Sequence, residues 1–225
     1  MNLIKYFYRL LPKKFRLFLR RLLKTFLYRF RKYKLKLGIF YNDEVNLILG
    51  AALTSQKGWY STNEEWLDIS NSNHWNKLFK GKNVINHVVA EHVMEHLTVD
   101  EMDKAINLIH KHLRQNGNLR IAVPDGNNPH REYIKNVGIN GIGADASDHK
   151  QLITYEFIKD FLEKRNFKCY LREGYLANGK LIHEVIDDDL GFIMRSRSKS
   201  YLYKKKDWDF IDSNTSLIID AKKRN

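Results

Sequence analysis

The 225-residue chain is 43% hydrophobic and 12% aromatic, enough apolar side chain to bury a core, so disordered and fibrous classes are excluded. Its single cysteine, Cys169, excludes an internal disulfide and a thiolate zinc cage, and the longest uncharged run, the 12 residues from Val45 to Gln56, falls short of the ~20 that span a bilayer; a reducing, cytoplasmic setting is expected. The net charge of +13 is not spread evenly: 13 of the 39 Lys and Arg precede Leu37, the first acid is Asp43, and the remaining 26 cations balance 26 acids.

This asymmetry divides the chain into a basic arm, residues 1–37, and an electrically balanced body, residues 38–225, which no Pro/Gly-rich linker subdivides. Pro12 suits the first turn of a helix, where its missing N–H costs nothing. From there Phe15, Phe18, Leu19, Leu22, Leu23, Phe26, Leu27 and Phe30 recur at spacings of three and four, forming one helical stripe among Arg16, Arg20, Arg21, Lys24, Arg29 and Arg31. Such a helix fits an anionic membrane surface, peripherally at the inner face of the membrane. A signal peptide would carry an unbroken apolar segment, whereas here a cation falls at least every five residues. The alternatives are the same stripe docked on the body as an extra core helix, or a nucleic-acid arm, which the neutral body disfavours.

In the body, Val45 to Leu49 is a short apolar run ending at Gly50 and predicts a buried strand entering a tight turn. Further strands are expected at Trp59 to Thr62, Leu67 to Ile69 and Val84 to Ala90. Thr98-Val-Asp-Glu101 has the form of a capping box, and Met102, Ile106, Ile109 and Leu113 follow at helical spacing until Gly117. A strand at Leu119 to Val123 stops at Pro124-Asp-Gly126. A helix over Thr154 to Lys164 and strands at Phe167 to Leu171 and Ser216 to Asp220 complete the reading. Strands alternating with helices predict an α/β layer fold with a mainly parallel sheet, in which ligands sit beyond the carboxyl ends of the strands. That places weight on Gly50 to Ala52, Asn63, Glu64, Asp68, Glu91, His92, Asp125 and Gly126.

The motifs Lys57-Gly58-Trp59, Leu67-Asp68-Ile69, Ala90-Glu-His-Val-Met-Glu-His-Leu97, Leu119-Arg-Ile-Ala-Val-Pro-Asp-Gly126, Asp148-His-Lys150, Arg195-Ser-Arg197 and the closing Thr215 to Ala221 resemble, in that order, a bacterial subgroup of the class I S-adenosylmethionine-dependent methyltransferases. The resemblance spans about Val45 to Lys222. It implies a Rossmann-like methyltransferase fold, seven strands with the last two in a reversed hairpin, and S-adenosylmethionine as cofactor. It implies that the turn at Gly50 and Ala52 approaches the methionine part of the cofactor, where the lack of a side chain is the requirement. Asn63, with Glu64 beside it, stands where an acid usually accepts from both ribose hydroxyls, Asp68 near the adenine amino group, and Glu91 and His92 along the pocket. Three departures stand out: Ala52 for the second glycine, Asn63 for the ribose acid, and only eight residues between Gly50 and Trp59, where a parallel crossover with its helix needs about a dozen. Either the first helix is reduced to a turn or the second strand is misplaced.

The expected function is methyl transfer to a small molecule, a membrane-linked glycan or a lipid precursor, with a non-catalytic scaffold of the same fold as the alternative. Base candidates are Glu91, His92 and His149, the last oriented by Asp148. His92-Val-Met-Glu95-His96 also matches the His-x-x-Glu-His pattern of inverted zinc proteases. The motif follows a strand directly and precedes the capping box, so no metal site is expected there. Arg195 to Lys199 with Tyr201 and Tyr203 has the residue types of a phosphate or RNA site, against the simpler reading of a charged surface loop. Asp187 to Asp189 reads as an exposed turn rather than a cation site.

Overall fold

The computed structural model describes residues 11–41, 44–52, 54–143, 146–202 and 215–224. The first ten residues of the arm and Tyr203 lie outside them. The strands are β1 (Val45–Leu49), β2 (Tyr60–Ser61), β3 (Ile85–Glu91), β4 (Leu113–Val123), β5 (Phe167–Tyr175), β6 (Leu181–His183) and β7 (Leu217–Lys223), and the α-helices are α1 (Lys13–Tyr41), α2 (Ser72–Phe79), α3 (Val99–His112), α4 (Arg131–Val137) and α5 (Tyr155–Glu163). The seven strands form one sheet in the order β2-β1-β3-β4-β7-β5-β6. Pairing is parallel from β2 to β4 and antiparallel from β4 through β7 and β5 to β6, so the last strand inserts between two earlier ones. This is a mixed α/β fold with a parallel core; the resemblance implied the last two strands as a reversed hairpin, but β5 lies between β6 and β7 and pairs antiparallel with both, and β6 was not expected from the sequence.

Local chemistry sets the helix starts. Thr98 Oγ1 accepts from the Glu101 amide at 3.2 Å while Glu101 Oε2 accepts from the Thr98 amide at 2.8 Å, the reciprocal capping box read from the sequence. Thr154 caps α5 with a single bond, its Oγ1 accepting from Phe157 N at 3.3 Å. Alternate residues of the central strands sort to two faces. Leu47, Leu49, Val88, Ala90, Leu119 and Ile121 join one cluster with Trp75, Met102, Ile106 and Ile158 of the helices. Val89, Ala122 and Ile218 face the other way, covered by Ile186, Ile193 and Trp59.

Several sequence expectations need correction. Leu67 to Ile69 is no strand: Trp66 N and Leu67 N both donate to Asn63 O, turning the chain, and Leu67 and Ile69 are apolar because they pack into the helix-side core. The α3 helix ends at His112 rather than at Gly117, because Leu113 is already extended at ψ 136° and opens β4. The strands β5 and β7 run four and three residues further than expected, to Tyr175 and Lys223. The second strand is correctly placed though shorter, and pairs in parallel with β1 across a connection whose described residues contain no helix. The C-terminal half of α1 supplies cover there, with Leu35, Gly38 and Ile39 buried and Arg31 Nη1 donating to Ala52 O at 2.7 Å. A Cβ on Gly38 would overlap the Tyr60 phenol, so the close approach requires glycine. Residue 37 therefore falls inside a helix that joins arm to body.

The stripe on α1 is not what docks. Phe15, Phe18, Leu22, Phe26 and Phe30 are 46–72% exposed, and Tyr33, Leu37 and Phe40 continue them on the same face. The buried Leu35, Gly38 and Ile39 lie on the opposite side of the helix. This overturns the alternative in which the Phe/Leu stripe forms an extra core face.

Candidate functional site

Strand order reverses at β1: the chain first adds β2 on one side of it and then β3 on the other. The crevice beyond the carboxyl ends of β1 and β3 is thus the topological switch point, where open α/β sheets bind ligands. A cleft of about 500 Å³ occupies this place, and Gly50, Glu64, Asp68 and His92 all line it together with Val93 and His96. Four residues chosen from sequence position are therefore brought together. At Gly50, φ is +57° and a Cβ would come within 2.7 Å of the Val93 side chain, so any other residue is strained and crowded there. Asp68 Oδ1 is held by Ser70 N at 2.9 Å and Ser70 Oγ at 2.8 Å, which fixes its carboxylate.

Asn63, Ala52, Glu91 and His149 are not among the residues that line this cleft. Asn63 is 4% exposed and its Oδ1 accepts from Arg31 Nη1 at 3.3 Å. Ala52 uses its carbonyl for the same guanidinium and does not line the cleft. Arg31 was one of 13 arm cations, and nothing in the sequence marked it. Glu91 Oε1 accepts from Arg195 N at 2.7 Å, and His92 Nδ1 accepts from Arg195 Nη1 at 2.6 Å while its Nε2 lies 3.3 Å from Ser216 Oγ. His92 takes φ +52°, an uncommon backbone conformation of the kind found at functional turns. His149 is 7% exposed and its Nδ1 donates to Val137 O at 2.7 Å, so a backbone carbonyl orients it, not Asp148 as expected. Asp148 instead sits 3.1 Å from His96 Nδ1.

The motifs left over brace this cleft. Lys150 N and Gln151 N donate to Glu95 O at 2.8 and 3.2 Å, which seats Asp148-His-Lys150 against Glu95-His96. Lys150 Nζ reaches Glu101 Oε2 at 2.9 Å; this bond and the Thr98 amide hold the Glu101 carboxyl down to about 2. Arg195-Ser-Arg197 is engaged within the protein: Arg195 Nη1 donates to His92, Arg197 Nε to Thr215 Oγ1 at 3.2 Å, Ser196 Oγ and Arg197 N to the buried Glu173 at 2.7 and 2.9 Å, and Lys199 pairs with Asp188. Asp187 caps its own turn through Asp189 N at 2.8 Å. Burial raises the Glu173 carboxyl, against the pull of these donors.

The chain is similar in structure to a SAM-dependent methyltransferase from Archaeoglobus fulgidus, at 17% identity over 91% of this chain and 94% of that one with a TM-score of 0.48. It is also similar to the YcgJ protein from Bacillus subtilis, at 9% identity over 86% of this chain and 99% of that one with a TM-score of 0.41. No protein-family model and no curated protein sequence matches it.

Proposed function

We propose that this protein is a cytoplasmic S-adenosylmethionine-dependent methyltransferase that works at a membrane surface on a membrane-linked glycan or lipid precursor. The observation that carries the reading is the switch-point cleft lined by Gly50, Glu64, Asp68 and His92, whose volume of about 500 Å³ falls in the ~300–1,000 Å³ range of small-molecule sites. Gly50 lets backbone approach the methionine portion, and Glu64 and Asp68 offer carboxylate acceptors to the adenosine. The cofactor supplies an electrophilic methyl group. The protein's share is alignment; His92, the base candidate that lines the cleft, takes the acceptor proton on Nδ1 only once Arg195 Nη1 has released that nitrogen.

The acceptor class rests on α1. Its exposed apolar stripe, flanked by cations, fits the interface of an anionic bilayer. On the opposite, body-facing side of α1, a second cleft of about 570 Å³ against Trp66 is lined by Arg20, Arg21, Lys24 and Lys32 and also by Glu65, which pairs with Lys24 at 2.8 Å, so it adds cationic surface near the arm but does not share the face of the stripe.

Calorimetry with S-adenosylmethionine tests the reading. The wild type is expected to bind one equivalent, and Gly50→Val to lose binding at least tenfold. Absence of heat and of thermal shift at millimolar cofactor would remove the enzyme reading and leave a scaffold of the same fold, in which Arg31 takes the Asn63 acceptor.

A further inference from the structure

Glu95 is buried at 1% exposure, yet neither of its carboxylate oxygens accepts a hydrogen bond among the described residues. A carboxylate withdrawn from water without donors is costly to leave uncompensated. His92 Nδ1 lies 3.1 Å away but carries no proton to offer, since it already accepts from Arg195 Nη1 at 2.6 Å. The site is therefore built around an acceptor for which the neighbouring chain provides no donor.

Two imidazoles converge on the same point. One ligand atom each from Glu95, His96 and His149 lies within 4.8 Å of the others. The Val137 carbonyl can only accept, so His149 carries its proton on Nδ1 and keeps the Nε2 lone pair. A backbone carbonyl in that role is how metal-binding histidines are commonly held in one tautomer. His96 Nδ1 is buried with no hydrogen-bond partner, and its ring meets His149 edge-on at 4.8 Å. Asp148 Oδ1, 3.1 Å from that nitrogen, adds an oxygen at the open side.

We propose that Glu95, His96 and His149 bind a divalent first-row transition-metal ion, zinc foremost, in the wall of the cleft. One carboxylate and two imidazoles suit zinc or manganese better than magnesium or calcium, which favour all-oxygen shells. This revises the expectation of no metal at the motif. The ion is held not by His92 and His96 on one helix but by the second half of the motif and a histidine 53 positions further on. His149 thereby leaves the set of base candidates, because a metal-bound Nε2 has no lone pair to use. Three protein ligands leave a position open, and His96 and Asp148 line the cleft, so an oxygen of a bound molecule can complete the shell.

The test uses tag-free full-length protein, stripped with chelator and titrated with zinc chloride by calorimetry in the absence of any cofactor. About one equivalent should bind, weakened at least ~10-fold in Glu95→Gln and in His149→Ala, with magnesium giving no heat. Circular dichroism checks that each variant is folded; if Glu95→Gln is not, the half-buried His96→Ala replaces it. Cobalt(II) should give visible absorption in the wild type that these variants lose. Folded wild type that takes up neither zinc nor manganese would overturn the proposal, as would unchanged zinc affinity in the variants. Since no S-adenosylmethionine is present, failure here and failure of the cofactor reading are separate results.

Discussion

Asp125, at the end of β4, is 1% exposed and accepts from Tyr175 N at 2.7 Å and Asn127 N at 2.9 Å. The aspartate of the Val-Pro-Asp-Gly motif thus clamps β5 to the turn after β4. Burial raises its carboxyl to about 6 in spite of those two donors. The folded state then holds this proton more tightly than the unfolded chain does. The stability it contributes is complete below the ordinary aspartate range and is lost as pH rises through about 6, and Glu173 acts in the same direction. Asp125→Asn should be less stable at pH 4.5, because one amide loses its acceptor, but should lack this decline, worth on the order of 3 kcal/mol by pH 7.5. Thermal melts from pH 4.5 to 7.5 check it; parallel curves for the two proteins would refute it.

Between elements, Arg120 and Asp220 are register partners on β4 and β7 that bond at 2.7 and 2.9 Å with both side chains 2% exposed. Arg120 Nη1 also donates to Asp187 O at 2.6 Å and Gly191 O at 2.7 Å, tying the cover of the second sheet face to the sheet. Removing Asp220 strands the buried Arg120 and takes a partner from the partly exposed Arg172, whose Nε donates to Asp220 Oδ2 at 2.9 Å and which keeps Glu184, whereas replacing Arg120 and Asp220 together leaves only Arg172 to be compensated. Asp220→Leu should therefore cost about 3–5 kcal/mol in urea unfolding, and Arg120→Met/Asp220→Leu should recover a good part of it. A double variant no more stable than the single one would show that the carbonyl contacts, not the charge, dominate.

For the whole molecule, the docked residues and the exposed stripe proposed to meet the membrane fall on opposite faces of α1, so each can be changed without the other. Phe18→Ser/Leu22→Ser/Phe26→Ser should leave the melting temperature unchanged, because all three side chains are at least half exposed. The same variant should lose the part of anionic-vesicle binding that resists salt. Cations near an anionic surface contribute about 1 kcal/mol each and are screened, while apolar burial is not. Wild-type cosedimentation should thus weaken at high salt without vanishing, and that of the triple variant should vanish. Equal pelleting of the two proteins would exclude the stripe as the contact. Leu35→Ala, on the docked face, should instead destabilise by about 2–5 kcal/mol and leave vesicle binding intact.

The sequence by itself determined what depends on neighbours along the chain: the capping box at Thr98, the strands β1 and β3 and the Leu119–Val123 part of β4, the tight turn at Gly50, and the helix within the arm. Hydrophobic periodicity of α1 was equally legible, but periodicity records which side chains avoid water on a helix, not what they meet. Only tertiary structure decided that the helix docks through Leu35, Gly38 and Ile39, leaving the more apolar stripe outside. Leu67 and Ile69 misled for the same reason, since burial in a turn and burial in a strand leave the same apolar pair. The site shows the limit most clearly. Glu95 and His96 were visible as a motif and His149 as an isolated candidate, yet their convergence depends on Lys150 N and Gln151 N reaching the Glu95 carbonyl. Likewise Arg195 meets His92 across 103 positions, and such contacts are set by how the sheet stacks its loops at one end, which no local pattern encodes.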